Sequence, residues 1–478
     1  MVKRGNRIRA RIHIGISGEL SSPLLIGSGK EEQTDMDVLM THDKVPYIPG
    51  SALAGVLRNY MENHMGGQEA DNLFGTSGWG ICPNDREQSE GIEYQSRILV
   101  YDTLLYEAYV TRRDGVRLDE YKTSEERKKY DMQAVEDGAR YLMRLEIIVR
   151  EYQEEQFCGL DKAIQHDLRL VEFLIDGIAK GNLRLGARSS RGFGRLNVHE
   201  TGYRIFQMDI REDFLSWLDW NPDSVLESGT KWDLEKTDVE IKSIMHCLVI
   251  PLKIKNTILV RQYNAWAWEN PQGDGNLQTA DYGQLTLCDG SAVIPGSTWS
   301  GAIRSYVASR VNEFLGFSGW QRAQEALDCF FGTWSQDTST KDRRASRVIF
   351  EETKIKGGHG QPAARNAIDR FTGGTGEGKL YKEVFWVGGS VNLEIRWSGH
   401  SLNEMEHKIL CGLLLWAVYG LWNGLLSVGG ETGVGRGIFE PAGAVCLDSH
   451  EIGHSQPYLR AAAEWCRGLK SGYEEEGA

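Results

Sequence analysis

The sequence has no Cys-x-x-Cys pair: its eight cysteines lie scattered at 82, 158, 247, 288, 329, 411, 446 and 466. Such scatter excludes a disulfide framework and a Cys/His zinc cluster, and it reads as a reduced, cytoplasmic protein. No stretch is apolar enough to span a bilayer, since "ILCGLLLWAVYGLW" is short and interrupted by glycine. Nor does a signal peptide open the chain, because basic residues alternate through its first strand and no apolar core follows. Histidine is sparse, 11 in 478 residues, and His42 and His64 have no counterparts at matching places downstream.

What is present is an ordinary globular composition, 41% hydrophobic and 25% charged, in a chain long enough for two or more domains. The formal charge of −13, from 54 Lys+Arg against 67 Asp+Glu, argues against indiscriminate nucleic-acid binding but leaves local patches open. Three runs are strongly basic: "KRGNRIRARIH" near the start, "RLGARSSRGFGR" (184–195) and "KDRRASR" (341–347). Each can equally be a solvated face.

The informative feature is a repeat. "YIPGSALAGVLR" (47–58) returns as "VIPGSTWSGAIR" (293–304), with Pro49, Gly55, Arg58 and Tyr60 matching Pro295, Gly301, Arg304 and Tyr306 at one offset of 246. The same offset pairs Asp35 with Asp281 and Asp43 with Asp289. "LFGT" (73–76) meets "FFGT" (330–333), and "SRILVYD" (96–102) meets "SRVIFEE" (346–352). Asp119 and Gly138 match Asp369 and Gly388, and "GFGR" (192–195) meets "GVGR" (433–436). Collinear blocks with drifting offsets are what a duplication with loop insertions leaves.

Each copy reads strand, helix, strand, polar hairpin, strand, helix, glycine-rich turn, strand, which predicts an α+β fold of two tandem ferredoxin-like or RRM-like domains. The expected boundaries are 1–205 and 244–446 for the domains, with an acidic helix and linker over 206–243. Residues 447–478 are a C-terminal extension, expected to fray beyond about Leu469.

Several repeated residues carry candidate chemistry. Ser51 and Ser297 would cap helices whose first N–H groups suit a phosphate. Arg58 and Arg304 could clamp a phosphate, or pair with a carboxylate of their own fold. The turns around Gly192, Gly194 and Arg195, and around Gly433, Gly435 and Arg436, would let an RNA backbone approach closely. Asp35 and Asp281, each 14 residues before the helix-starting proline, could bind a divalent ion or orient a ribose hydroxyl. Asp37, Asp43 and Asp289 compete with them in the same loops. "GGTGEGKL" (373–380) nearly spells a phosphate-binding loop, but Leu380 stands where magnesium needs Ser or Thr, and a nucleotide site is rejected.

"PYIPGSALAGVLR", "SRILVYD", "AIDRFTGG" and "GFGRL" together resemble the RAMP superfamily of CRISPR effector proteins, closest to the type III backbone subunits of the Cas seven kind. The resemblance covers nearly the whole chain, as in the tandem fusions of type III-D systems. Copy one has "VRLDEYKT" where copy two has "IDRFTGG". The resemblance implies RRM-like domains, each with a protruding β-hairpin thumb, stacked along a guide CRISPR RNA beside other type III effector subunits. It implies cleavage of complementary target RNA by the loop aspartates, Asp35 and Asp281, with a divalent cation such as Mg2+. Backbone-binding roles would fall on Ser51, Arg58, Arg97 and the Gly192–Arg195 turn, and on Ser297, Arg304, Arg347 and the Gly433–Arg436 turn. A guide-binding subunit without catalysis and a guide-processing RAMP ribonuclease are the alternatives; the latter typically uses a histidine, and none is matched here.

Overall fold

A computed structural model describes residues 7–29, 34–76, 95–119, 123–232, 245–263, 266–268, 278–316, 320–334, 343–399 and 402–476. Cys82 and the linker segment 233–244 lie outside the described residues. The first domain runs β1 (Ile8–Leu20), α1 (Gly50–Met65), β2 (Ile98–Val100), a hairpin of β3 (Val110–Leu118) and β4 (Ser124–Val135), β5 (Arg140–Arg150), α2 (Leu160–Ala179) and β6 (Leu196–Gln207). The second repeats the plan with β7 (Met245–Ile254), α3 (Gly296–Leu315), β8 (Val348–Phe350), the hairpin β9 (His359–Ile368) and β10 (Thr375–Val387), β11 (Ser390–Ser398), α4 (Glu404–Trp422) and β12 (Phe439–Pro441).

In both domains the opening strand is central. β1 pairs antiparallel with β5 and β6, and β7 with β11 and β12, while β2 and β8 lie outside β5 and β11. This is the ferredoxin-like order, with the hairpin inserted between the second and third core strands as a thumb. Alternation explains the sheet face: Ile12, Ile14 and Ile16 on β1, and Leu248, Ile250, Leu252 and Ile254 on β7, are all buried. Each sheet face is covered by its two helices, giving one apolar core per domain.

The matched tyrosines explain themselves. Tyr60 on α1 packs flat against Gly177 of α2, and Tyr306 on α3 against Gly420 of α4; a β-carbon at either glycine would collide with the ring. The expected acidic helix after the first domain is present at Arg211–Asp219. The C-terminal extension continues as a helix over Gln456–Glu476, which packs on α4 and buries Ala461, Ala462 and Cys466 in the second core.

One repeat pairing needs correction. Arg188 and Glu431 both take left-handed backbone (φ 62° and 56°), as do Gly192 and Gly435 (85° and 88°). Gly194 N–H donates to Pro23 O (2.7 Å) as Gly437 N–H does to Thr257 O (2.8 Å). Gly192 therefore corresponds to Gly435, and Phe193 to Arg436; the alignment of "GFGR" with "GVGR" is two residues out. Backbone hydrogen bonds, not the glycine spelling, set the turn's register.

Arg97 and Asp167 differ in kind from their surroundings. Both are almost wholly buried, joined by two bonds of 2.7 and 2.9 Å. Burial by itself would raise the Asp167 carboxyl, but the Arg97 charge and hydrogen bonds outweigh it and hold the carboxyl below its ordinary value. The pair's contribution is therefore present at neutral pH and lost as pH falls through the carboxylate range. The repeat's Arg347 meets Glu406 at 3.7 Å with both side chains about a third exposed. Asp167→Ala should cost about 3–5 kcal/mol, as for breaking a buried pair, and Arg347→Ala under about 1 kcal/mol, as for a surface pair. Urea unfolding of the two variants checks this.

Candidate functional site at the base of each thumb

Asp35 lies in the loop ahead of α1 and its side chain is exposed. Its Oδ2 accepts the backbone N–H of Asp131 on β4 (2.9 Å), and Asp131 Oδ1 in turn accepts the Asp35 N–H (2.9 Å). In the second domain the exposed Asp281 uses Oδ2 to accept the N–H of Lys382 on β10 (2.7 Å), while its own N–H donates to Lys382 O (2.9 Å). The loops differ in length and sequence, yet each fastens one aspartate to the same rung of its thumb. A carboxylate held by one oxygen keeps the other free for a ligand.

The neighbourhoods are not identical. Asp131 places a second carboxylate beside Asp35 and is ion-paired with Arg112, whereas Asp281 has Lys382 in that place. Below Asp281 sits a buried ionic network absent from copy one. Arg436 reaches Glu383 (2.6 Å) and Glu431 (2.9 Å), Arg365 reaches the same two carboxylates, and the Tyr282 hydroxyl donates to Glu431 (3.1 Å). Burial and then the Glu431 charge push the Tyr282 phenol up, so it stays a donor.

The competing aspartates have other work. Asp37 is buried and accepts both the N–H and the hydroxyl of Thr34 (2.9 and 2.8 Å). Asp289 accepts the Ser291 N–H (2.8 Å) in a tight turn, and Asp43 pairs with His42 at the surface. Among the described residues, no group of three or more His, Cys, Asp or Glu side chains could hold a metal ion.

Most residues predicted to contact RNA are committed elsewhere. Ser51 and Ser297 cap nothing: Pro49 and Pro295 are the N-caps, no cap bond comes from a side chain, and the Gly50 N–H is taken by Asp102 (2.7 Å). The Arg58 guanidinium binds Asp71 and Gly75 O. Arg304 does the same with Asp328 and Gly332 O, both at 2.7 Å. These matched clamps tie the first helix of each domain to the short helix that follows it, Gly67–Phe74 and Asp328–Phe331, which resolves the phosphate-or-carboxylate alternative in favour of the carboxylate. Arg97 is buried and Arg436 lies inside the ionic network. Gly192, Gly194 and Arg195 belong to a turn that packs against the second domain. Gly433 and Gly435 have open space where a side chain would stand, and Arg195 and Arg347 stay partly exposed, each with only a long ion pair, to Glu394 at 3.9 Å and to Glu406 at 3.7 Å.

Three contributors were not singled out by their residue type or spacing. Asp131 and Lys382 share a position but no identity, so the repeat conceals them. Phe371 is 99% exposed at the tip of the second thumb, held there because Asp369 Oδ1 accepts the N–H groups of Phe371 and Thr372 (2.9 and 2.8 Å). These bonds lower the Asp369 carboxyl's pKa. Asp119 secures the first thumb's turn likewise, accepting the Thr123 N–H (2.8 Å), which accounts for the matched aspartates. The loop that nearly spells a nucleotide site runs from this turn into β10 rather than a helix, so no helix N-terminus receives a phosphate.

The profile of the RAMP superfamily matches residues 19–197 and 273–440. The chain belongs to the RAMP superfamily. No curated protein matches it. RAMP proteins bind RNA and work in CRISPR complexes, and the two matched regions fall one within each of the two ferredoxin-like domains seen here. No helix among the described residues is long and apolar enough to cross a membrane.

If Arg58 and Arg304 are internal clamps, Arg58→Ala and Arg304→Ala should each lower unfolding stability by about 2–4 kcal/mol, because each removes a carboxylate's ion-pair partner and a carbonyl's donor. The salt dependence of RNA binding by the folded variants should match the parent's. A shallower log K against log [salt] slope would restore them as phosphate contacts.

Proposed function

We propose that this RAMP protein is a guide-RNA-binding backbone subunit of a type III CRISPR effector, a tandem fusion as in type III-D, and that it cuts target RNA at two places. The observation that carries the reading is the repeated docking of Asp35 and Asp281 on the second thumb strand. Two exposed carboxylates, fixed at equivalent points beside two protruding hairpins, suit two equivalent events on one extended strand.

The thumbs supply the geometry. A hairpin tip with Phe371 fully exposed, and Ile368 and Leu380 exposed near it, can stack on a base and open the strand locally. In-line attack of a ribose 2′-hydroxyl on its own 3′-phosphate needs such an opened conformation. The free oxygen of Asp35 or Asp281 accepts the hydroxyl proton as the 2′-oxygen bonds to phosphorus, and the 5′-oxygen departs and takes a proton from water, leaving a cyclic phosphate and a 5′-hydroxyl end. The hydrogen bond from the Asp131 or Lys382 backbone holds the carboxylate in place while it acts. With that oxygen engaged by the hydroxyl, an Mg2+ ion beside it would be borne by water and RNA phosphates rather than by the carboxylate. When bound, such an ion stabilises the charge developing on the phosphate. The differing partners, Asp131 with Arg112 against Lys382, imply that the two cuts proceed at different rates.

Asp35→Asn should abolish one cut and Asp281→Asn the other, with assembly and target binding retained, because the amide keeps the hydrogen bond and loses the charge. A double variant that still makes both cuts would overturn the assignment; the readout is end-labelled target on a denaturing gel. Phe371→Ala should leave unfolding stability unchanged while weakening single-stranded RNA binding by about 1–3 kcal/mol, the worth of one stacked base. Equal affinity in a binding titration would remove the stacking role.

A further inference from the structure

The duplication supplies a control for a groove between α3 and α4. In the first domain Tyr60 of α1 stacks on Phe173 of α2, with ring centroids 5.0 Å apart, and His64 closes against both. Tyr60 is 6% and Phe173 1% exposed, so the rings leave no room between them. The matched contacts of Tyr60 with Gly177 and Tyr306 with Gly420 fix the correspondence of the helices. By that register Trp416 stands where Phe173 does, and Arg310 where His64 does.

In the second domain the rings part. Trp416 stacks on Phe314 instead, with centroids 5.8 Å apart and planes 16° from parallel, and among the described residues no ring contact joins it to Tyr306. The Arg310 guanidinium lies over the Tyr306 ring, 5.3 Å from its centroid. An open groove of about 550 Å³ results, lined by Tyr306, Arg310, Glu313, Phe314, Trp416 and Tyr419. It lies on the outer side of the helical layer, because Ile303, Val307 and Val311 take the core side of α3. Phe314 is 43% exposed in its wall.

The lining selects its ligand by exclusion. Its volume is that of a small-molecule site. Arg310 Nη2 donates to Ser309 Oγ and to one oxygen of Glu313, which leaves Nη1 and the second carboxylate oxygen without partners among the described residues. An organic cation, the usual guest of an aromatic cage, is repelled by Arg310, which already covers Tyr306. A bare anion gains nothing from aromatic walls and meets the Glu313 charge. What fits is a flat apolar face for the Phe314–Trp416 wall, with an acceptor and an N–H donor side by side on one edge. Nucleobases have both.

We propose that the groove between α3 and α4 binds one unpaired nucleobase, purine ahead of pyrimidine because the purine's stacking face is larger. The base lies on the Phe314–Trp416 wall, Arg310 Nη1 donates to its ring nitrogen or carbonyl, and Glu313 accepts from the adjoining N–H. A free nucleotide and the unpaired end of an RNA strand present this same chemistry. The site belongs to the helical layer and uses neither Asp35 nor Asp281.

Equilibrium dialysis of AMP, GMP, CMP and UMP against the full chain without RNA tests this, with ribose 5-phosphate as competitor. AMP and GMP should bind saturably and ahead of CMP and UMP, and ribose 5-phosphate should not displace them. Phe314→Ala should weaken AMP binding about five- to hundredfold, the worth of one stacked base, and Arg310→Gln should weaken it as well. Asp35→Asn and Asp281→Asn should leave it unchanged, which separates this site from the catalytic reading. Photolabelling of the parent with 8-azido-AMP locates the site without any substitution and should mark α3 or α4. An adenylate trimer that binds no better than AMP identifies a free nucleotide as the ligand; a tighter trimer whose advantage Phe314→Ala removes identifies a strand end. No saturable AMP or GMP binding, displacement by ribose 5-phosphate, label elsewhere, or AMP affinity untouched by both substitutions would each overturn the proposal.

Discussion

Two adjacent glutamates hold the halves of this molecule in one register. Glu351 pairs with Arg184, and Glu352 takes both guanidinium nitrogens of Arg113, one at 3.1 Å, with all four side chains buried. Desolvating four charges is expensive and their attraction recovers that cost only in near-ideal geometry. The joint is therefore poor at tolerating any other arrangement, and this is its use. Lys354 with Asp137 (2.8 Å) and Cys288 N–H with Glu136 (2.9 Å) extend the same join to the base of the first thumb.

Everything functional follows from that fixed relation. Arg113 belongs to the first thumb and Glu352 to the strand leading to the second, so the joint couples the hairpins as well as the sheets. Each thumb then carries its own aspartate, tied by a backbone hydrogen bond rather than a side-chain contact. A backbone tie survives sequence change on the thumb, which is why Asp131 and Lys382 can occupy one position while the aspartates keep one geometry. The divergence below them sets two chemistries at one place in the fold, cation–π contacts of Arg188 over Tyr130 and Arg113 over Phe193 in one copy and the Glu383–Arg436–Glu431 network in the other.

The fold was legible because duplication doubles a weak signal: the repeated Pro-Gly-Ser helix start, the Ser-Arg strand and the hairpin position all stand where their spacing placed them. Residue roles were less legible, because a repeated arginine says that a contact recurs but not with what. Arg58 and Arg304 recur together with Asp71 and Asp328, and Gly75 and Gly332, partners whose match at an offset of 257 was visible only as "LFGT" and "FFGT". The first glycine-rich turn misled for a related reason. Glycine permits close approach of any backbone, and here the approaching backbone is the second domain's, at Phe350 and Gly296. The thumb partners of the aspartates were hidden altogether, since a backbone N–H leaves no trace in residue identity.

The central claim is that one rigid chain presents two equivalent cutting points to a single RNA strand. Mapping both new ends on targets whose complementarity to the guide is shifted base by base tests it most directly. The account predicts two cuts that move together with the guide and keep one constant separation across all targets. A single cut, or a separation that changes with the target sequence, would contradict it.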